Sequence, residues 1–149
     1  TALAIGAEIG LAPVPAPEMR ERRYGVFEGL TYDEARMKHP AGYAAFEGRN
    51  ADYDFENGES LRAMFERVTG KLQAIAAAHP GRNVVVVLHG CVLDIINRFV
   101  RGNSLETPRD FLIPNAGINW ISMAGEAWHL DTWGETGHLE PGALDELPS

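Results

Sequence analysis

Residues 84–88, Val-Val-Val-Val-Leu, form an uninterrupted apolar run, and no other stretch constrains the fold of this chain as tightly. A strand with one wet face alternates apolar and polar residues, whereas a strand covered on both faces reads as a continuous Val/Leu run. Helical periodicity flanks the run. Upstream, Leu61, Met64, Phe65, Val68, Leu72, Ile75 and Ala76 fall on one stripe, which His79-Pro80-Gly81 closes. Downstream, Val92, Leu93, Ile95, Ile96, Phe99 and Val100 repeat the pattern. Helix, apolar strand and helix in succession predict an α/β fold, with a mixed, mostly parallel sheet and helices on both faces. Ligands of such sheets bind beyond the carboxyl ends of the strands. His89 occupies that end, followed by Gly90 and the single cysteine, Cys91.

The remaining segments assemble around this unit. Leu3, Ala4, Ala7 and Ile9 mark an apolar helix side that Gly10 stops. Thr1 is an acceptable N-cap, but the segment reads better as the back half of a helix, so the chain is expected to begin inside a larger protein. Pro13, Pro15 and Pro17 suit an extended or edge segment. Glu18–Leu30 reads as an ordered loop. Thr31 with Glu34 forms a capping box for a helix to about Lys38, and Pro40 bars its continuation. A short helix near Tyr43–Glu47 and a loop over the body come next. Gly117–Met123 and Trp128–Trp133 predict a hairpin turning at Ala124-Gly125-Glu126. Residues 1–139 are thus expected to form one domain, and the polar tail 140–149 to fray.

Composition removes several classes of function. A formal charge of −8 argues against a nucleic-acid surface. It leaves room for a small anionic substrate, because binding follows the local field rather than the total charge. No stretch approaches the roughly 18–20 apolar residues of a membrane span. One cysteine excludes an internal disulfide and suits a reducing compartment, so a cytoplasmic location is expected.

Several chemistries fail on spacing. A cysteine-dependent phosphotransfer loop needs His-Cys-x5-Arg. Here Gly90 separates His89 from Cys91, and six residues separate Cys91 from Arg98. Cys91 therefore reads as a small residue filling a strand–helix turn. His39, His79, His89, His129 and His138 show no paired metal-ligand spacing. No Gly-x-Ser-x-Gly elbow or nucleotide-binding glycine loop exists. No metal and no cofactor are expected. His89 and Glu21 remain. On the residues alone, His89 is a structural hydrogen-bonder or a ligand-facing group, and Glu21 a solvated charge or an acid.

Five segments change those odds. "MRERRYGVFEGLTYDEA", "NGESLRAMFERV", "VVVVLHGCVLDIINRF", "IPNAGINWI" and "WHLDTWGETGHL", in this order, resemble the histidine phosphatase (phosphoglycerate mutase-like) superfamily over nearly all of residues 1–139. The resemblance implies a phosphohistidine mechanism. A His in an Arg-His-Gly motif on the first strand of the family attacks phosphorus, and a second His, in Ser-His-Gly, hydrogen-bonds the phosphoryl oxygens. His89 in Leu88-His89-Gly90 matches the second His. Glu21 matches the proton donor, and Tyr24 looks like a substrate-contacting tyrosine. Arg20 and Gly90 join the substrate-binding set, with Arg22 and Arg23 as further candidates for a positive rim. The implied partner is a small phosphorylated substrate; a homodimer is left open. Phosphoryl transfer rests on positioning and on charge stabilisation at the equatorial oxygens. An imidazole and the N–H groups of a helix start can supply both, and a carboxylic acid can give the leaving alkoxide its proton.

The chain also departs from the family pattern. The Arg-His-Gly strand is absent, and Thr1-Ala2 look like the last two residues of the family's Arg-Ala-x-Gln-Thr-Ala segment. The nucleophilic His is therefore expected to lie outside this sequence. Cys91 stands where Gly is usual. Asp94 stands where many members carry Arg, and reads as a structural complement to the helix dipole. The segment from Glu34 to Asn57 is short, which favours a phosphatase over a phosphoglycerate mutase. A non-catalytic domain that binds a phosphate ligand is the alternative from another class.

Overall fold

Ser60 opens the longest helix by accepting a hydrogen bond from the Ala63 N–H at 3.1 Å, as an N-cap serine does. In the computed structural model, which describes residues 1–139, this helix is α4, Leu61–Ala78. It follows α1 (Ala2–Ile9), α2 (Tyr32–Lys38) and α3 (Pro40–Glu47), and precedes α5 (Gly90–Arg101) and the strands β1 (Ile118–Ala124) and β2 (Ala127–Glu135). The stripe on α4 buries Leu61, Met64, Val68 and Leu72 against Val92, Ile95 and Ile96 of α5, with Met19, Ala51 and Leu105 completing the cluster. Large aliphatic side chains buried in this way contribute about 1.5–3 kcal/mol each. On its other side α5 meets β2, where Phe99 and Trp128 pack edge to face.

Local signals set most element ends. Gly10 closes α1 and Gly102 closes α5, both in the left-handed conformation that glycine adopts without strain. The capping box is made in full, with Glu34 N donating to Thr31 Oγ1 and Thr31 N to Glu34 Oε2. Pro40 does end α2, but it also starts α3 one turn before the expected Tyr43. A first-position proline sacrifices no helical hydrogen bond. Phe27, Ala35, Tyr43 and Phe55 form a second core, ringed by Tyr24, Phe46 and Tyr53. The hairpin pairs Ile121 with Leu130 and Ser122 with His129 and turns at Gly125, φ 64°. Pro17–Met19 and Gly25–Phe27 are single 3-10 turns within the expected loop.

The expected mostly parallel sheet is not formed within the described residues. The class is α/β, but among the described residues the only sheet is the antiparallel pair β1–β2. Residues 84–88 join no ladder there, and Val84, Val85, Val86 and Val87 are 44%, 67%, 36% and 40% exposed. A parallel strand draws its hydrogen bonds from neighbours reached through crossovers, and residues 84–88 pair with no described strand. Asp94 is also placed differently from the expectation. It is buried in α5, bonded to Arg98 Nε at 3.0 Å and Arg49 Nη2 at 3.2 Å, so it serves an internal ion pair rather than the helix dipole. The tail 140–149 lies outside the described residues.

Two substitutions contrast the packed stripe with the uncovered tract. In urea titrations of this chain, Met64→Ala is expected to cost about 2–5 kcal/mol. Val85→Lys is expected to change stability by less than about 0.5 kcal/mol.

Candidate functional site

The site is assembled from two loops and a helix start. The loop carrying Arg20 to Glu28 lies against residues 53–60 so closely that only glycine fits at two points. A Cβ on Gly25, whose φ is 49°, would stand 2.3 Å from the Phe55 carbonyl oxygen. One on Gly58 would stand 2.8 Å from that of Arg23. Backbone bonds seal the approach, with Val26 N donating to Phe55 O and Glu59 N to Arg23 O. Phe55, Glu56 and Asn57 all have positive φ (60°, 51° and 80°), a conformation that costs a side-chain-bearing residue about 1–2 kcal/mol. Burial offsets that cost, because Phe55 is fully enclosed and the Arg22 guanidinium lies 4.6 Å from its ring centroid.

Glu59 fastens the same loop to α4. Its buried carboxylate takes Arg67 Nε at 2.8 Å and Nη2 at 2.6 Å, and Arg20 Nη2 lies at 3.6 Å. Arg67 Nη1 also donates to the backbone oxygens of Glu18 and Arg20. Arg22 is buried and donates from Nε to Glu59 O at 2.8 Å, while Arg23 donates to Gly58 O. Buried Arg22 is thereby withdrawn from the expected positive rim, while Arg23 stays exposed. Arg20 is partly exposed but turned towards Glu59 and Pro17 O.

With the loop so fixed, Glu21 reaches the first turn of α5. One carboxylate oxygen accepts from Arg22 N at 2.7 Å, and the other from Cys91 N at 3.0 Å. His89 is the N-cap of α5. Its backbone oxygen accepts from Leu93 N, and its side chain is exposed, with no hydrogen bond among the described residues. Gly90 is the first helical residue, so its N–H has no intrahelical acceptor. Tyr24 comes to the same turn, its hydroxyl 3.0 Å from Cys91 Sγ. Glu21, Tyr24, His89 and Gly90 thus converge on one helix N-terminus, where aligned N–H groups favour negative charge.

Cys91 is the residue that reading along the chain underrated. It is no mere filler, since its N–H holds Glu21 and its sulfur meets Tyr24. Burial, reinforced by the Glu21 charge, pushes the Cys91 thiol up to about 11. Burial also raises the Tyr24 phenol above its ordinary range. Both groups keep their proton at neutral pH. Glu59 was equally inconspicuous, and its signal lay in the Asn57-Gly58-Glu59-Ser60 segment, where a glycine precedes the only acid before a helix cap. Among the described residues, no group of three or more His, Cys, Asp or Glu is placed to hold a metal ion.

The profile of the histidine phosphatase superfamily (branch 1) matches residues 1–136, and the chain belongs to that superfamily. It is 34% identical over 143 residues to phosphoglycerate mutase-like protein 4 of Arabidopsis thaliana, covering 94% of this chain and 61% of the relative. It is 32% identical over 127 residues to the metal-independent phosphoserine phosphatase of the same plant, covering 85% and 52% respectively. The solved structure of Bacillus stearothermophilus YhfR superposes with a TM-score of 0.78 at 25% identity, over 93% of this chain and 71% of that one. The chain thus spans 61% and 52% of the length of those two plant relatives.

Two measurements check the construction of the site. Removing the Glu59 carboxylate leaves the mostly buried Arg67 guanidinium with backbone acceptors only, so Glu59→Ala is expected to destabilise the chain by about 1–3 kcal/mol in denaturant titrations. The folded Cys91 value near 11 exceeds the ~8.5 of an unfolded cysteine. Its contribution to stability is therefore full below about pH 8.5 and is lost as pH rises towards 11. The melting temperature should fall across that window, and Cys91→Ala should remove this part of the fall.

Proposed function

We propose that this chain carries the acid and phosphate-steadying half of a phosphatase that hydrolyses a small phosphate monoester through a phosphohistidine. The observation that carries the reading is the seat of Glu21 on the Cys91 N–H, two residues from His89, at the first turn of α5. A phosphoryl group on that turn takes the Gly90 N–H and the His89 imidazole as donors to its equatorial oxygens. Glu21 then lies beside the leaving oxygen and gives it a proton. Tyr24 and Arg20 contact the substrate at the rim. Arg20 must leave its 3.6 Å approach to Glu59 to do so.

The attacking His is supplied, on this reading, by a strand outside the described residues. That strand belongs beside residues 84–88, in a mixed, mostly parallel sheet covered by helices on both faces. The exposure of Val84 to Val87 supports it, since four adjacent valines gain stability only when covered. Residues 1–139 are then one domain of the intact enzyme. A cytoplasmic setting suits the free Cys91 thiol. No helix among the described residues is long and apolar enough to cross a membrane.

A phosphoglycerate mutase is the second reading, favoured by the name of the 34% identical plant relative. Free phosphate released from 3-phosphoglycerate, rather than its isomer, decides for the phosphatase. The acid role has its own test in the intact enzyme. Glu21→Gln should lower kcat on an alkyl phosphate by about 10²–10⁴. It should matter far less for p-nitrophenyl phosphate, whose leaving group departs without a proton. His89→Ala should lower kcat about 10²–10³ on both. Equal losses for Glu21→Gln on the two substrates would remove Glu21 from the acid role.

A further inference from the structure

Tyr24 and Cys91 form a pair of neutral hydroxyl and thiol at the place where the anion is proposed to sit. Their contact, 3.0 Å between Oη and Sγ, is short for a bond involving sulfur, and either atom can be the donor. The choice matters. A phenol has one hydrogen and two acceptor lone pairs, while a thiol is a weak donor and a weak acceptor. If the phenol gives its hydrogen to sulfur, it has none for a ligand. If sulfur gives its hydrogen to the phenol, the tyrosine hydrogen is free.

The surroundings favour the second arrangement once an anion is present. Cys91 is the second residue of α5, and its own N–H already points towards Glu21 Oε2 at 3.0 Å. Tyr24 is held from behind: its ring packs edge-on to Phe55 at 5.3 Å and to Phe46 at 6.4 Å. The Arg22 guanidinium lies 5.6 Å from its centroid. The hydroxyl therefore has little freedom except rotation of its hydrogen. A hydrogen bond to an ionised acceptor is about twice as strong as one between neutral partners. An anion on the first turn of α5 therefore competes for the phenol hydrogen far better than a thiol sulfur does. A donated S–H also polarises the O–H that follows it in the chain.

We propose that Cys91 is a positioning residue for substrate binding: its S–H donates to the Tyr24 oxygen and leaves the tyrosine O–H to bond the phosphoryl group or its immediate substituent. The inference rests on the phosphatase reading above, because it needs an anion at this turn. It adds a relay, S–H to O–H to anion, in which the sulfur never touches substrate. Glycine or alanine at 91 would keep the backbone N–H for Glu21 and lose the relay alone.

Inorganic phosphate is the probe, titrated calorimetrically into the intact enzyme, because this chain carries only half of the proposed pocket. Cys91→Ala is expected to weaken binding about threefold to tenfold, at most ~1.4 kcal/mol. Cys91→Ser, which restores a donor, should return it to within about twofold of wild type. Tyr24→Phe should weaken binding at least as much as Cys91→Ala, and adding Cys91→Ala to it should bring no further loss. The Cys91 S–H stretching band in the infrared, identified by its loss in Cys91→Ala, reports on one site. The band should move to higher frequency in Tyr24→Phe, and to lower frequency when phosphate is added to wild type. A role in stability alone would move the melting temperature without moving the band. Tighter phosphate binding by Cys91→Ala would show that the phenol donates to sulfur, and would overturn the proposal. So would additive losses in the double variant or an S–H band indifferent to Tyr24→Phe. Wild-type binding with these failures sinks the relay alone, whereas no phosphate binding by wild type sinks the phosphate-handling reading with it.

Discussion

A buried carboxylate, that of Glu59, sits beneath everything else in this molecule. Arg67 on α4 grips it with two nitrogens, Arg20 approaches it from the loop, and the backbone of the same residue takes Arg22. Burying charges costs several kcal/mol unless the pairing is nearly complete. Here a paired geometry is reached only when α4, the 53–60 turn and the 20–24 segment come together. That requirement links a helix face to a loop of otherwise unspecified path. It also explains why Gly25 and Gly58 must lack side chains, since the two loops meet backbone to backbone.

The consequence for chemistry follows from geometry. Once Arg20, Arg22 and Arg67 are engaged around Glu59, Glu21 is the acid of that loop that reaches the N-terminus of α5. Buried Arg22, which looked like part of a binding surface, instead fastens the loop from which the Glu21 carboxylate is aimed. The helix start provides the donors, the loop provides the acid, and the aromatic cluster around Phe55 holds Tyr24 against both. The positive φ of three successive residues beneath that cluster is tolerated because Phe55 is fully buried.

Much of this was legible in the order of residues. The α4 stripe, the Thr31–Glu34 capping box, the Gly10 stop and the Gly125 turn each depend on residues within one or two turns of one another. Such local terms act before any tertiary contact forms. The pairing of residues 84–88 was not legible, because apolarity shows that a segment wants cover without showing what supplies it. The arginine-rich loop misled for a related reason. Charge type is visible in sequence, but whether a guanidinium faces water or a buried partner is decided by the segment opposite.

By itself, then, the sequence determined the helices, the hairpin and the family, because periodicity, caps and motif order are properties of neighbouring residues. Tertiary structure alone decided that Glu21 would accept from an N–H 70 residues away, that Cys91 would meet Tyr24 across 67, and that Glu59 would bind them into one frame. Contacts of that separation depend on how buried charge and excluded side-chain volume are satisfied together, and no run of adjacent residues carries that information.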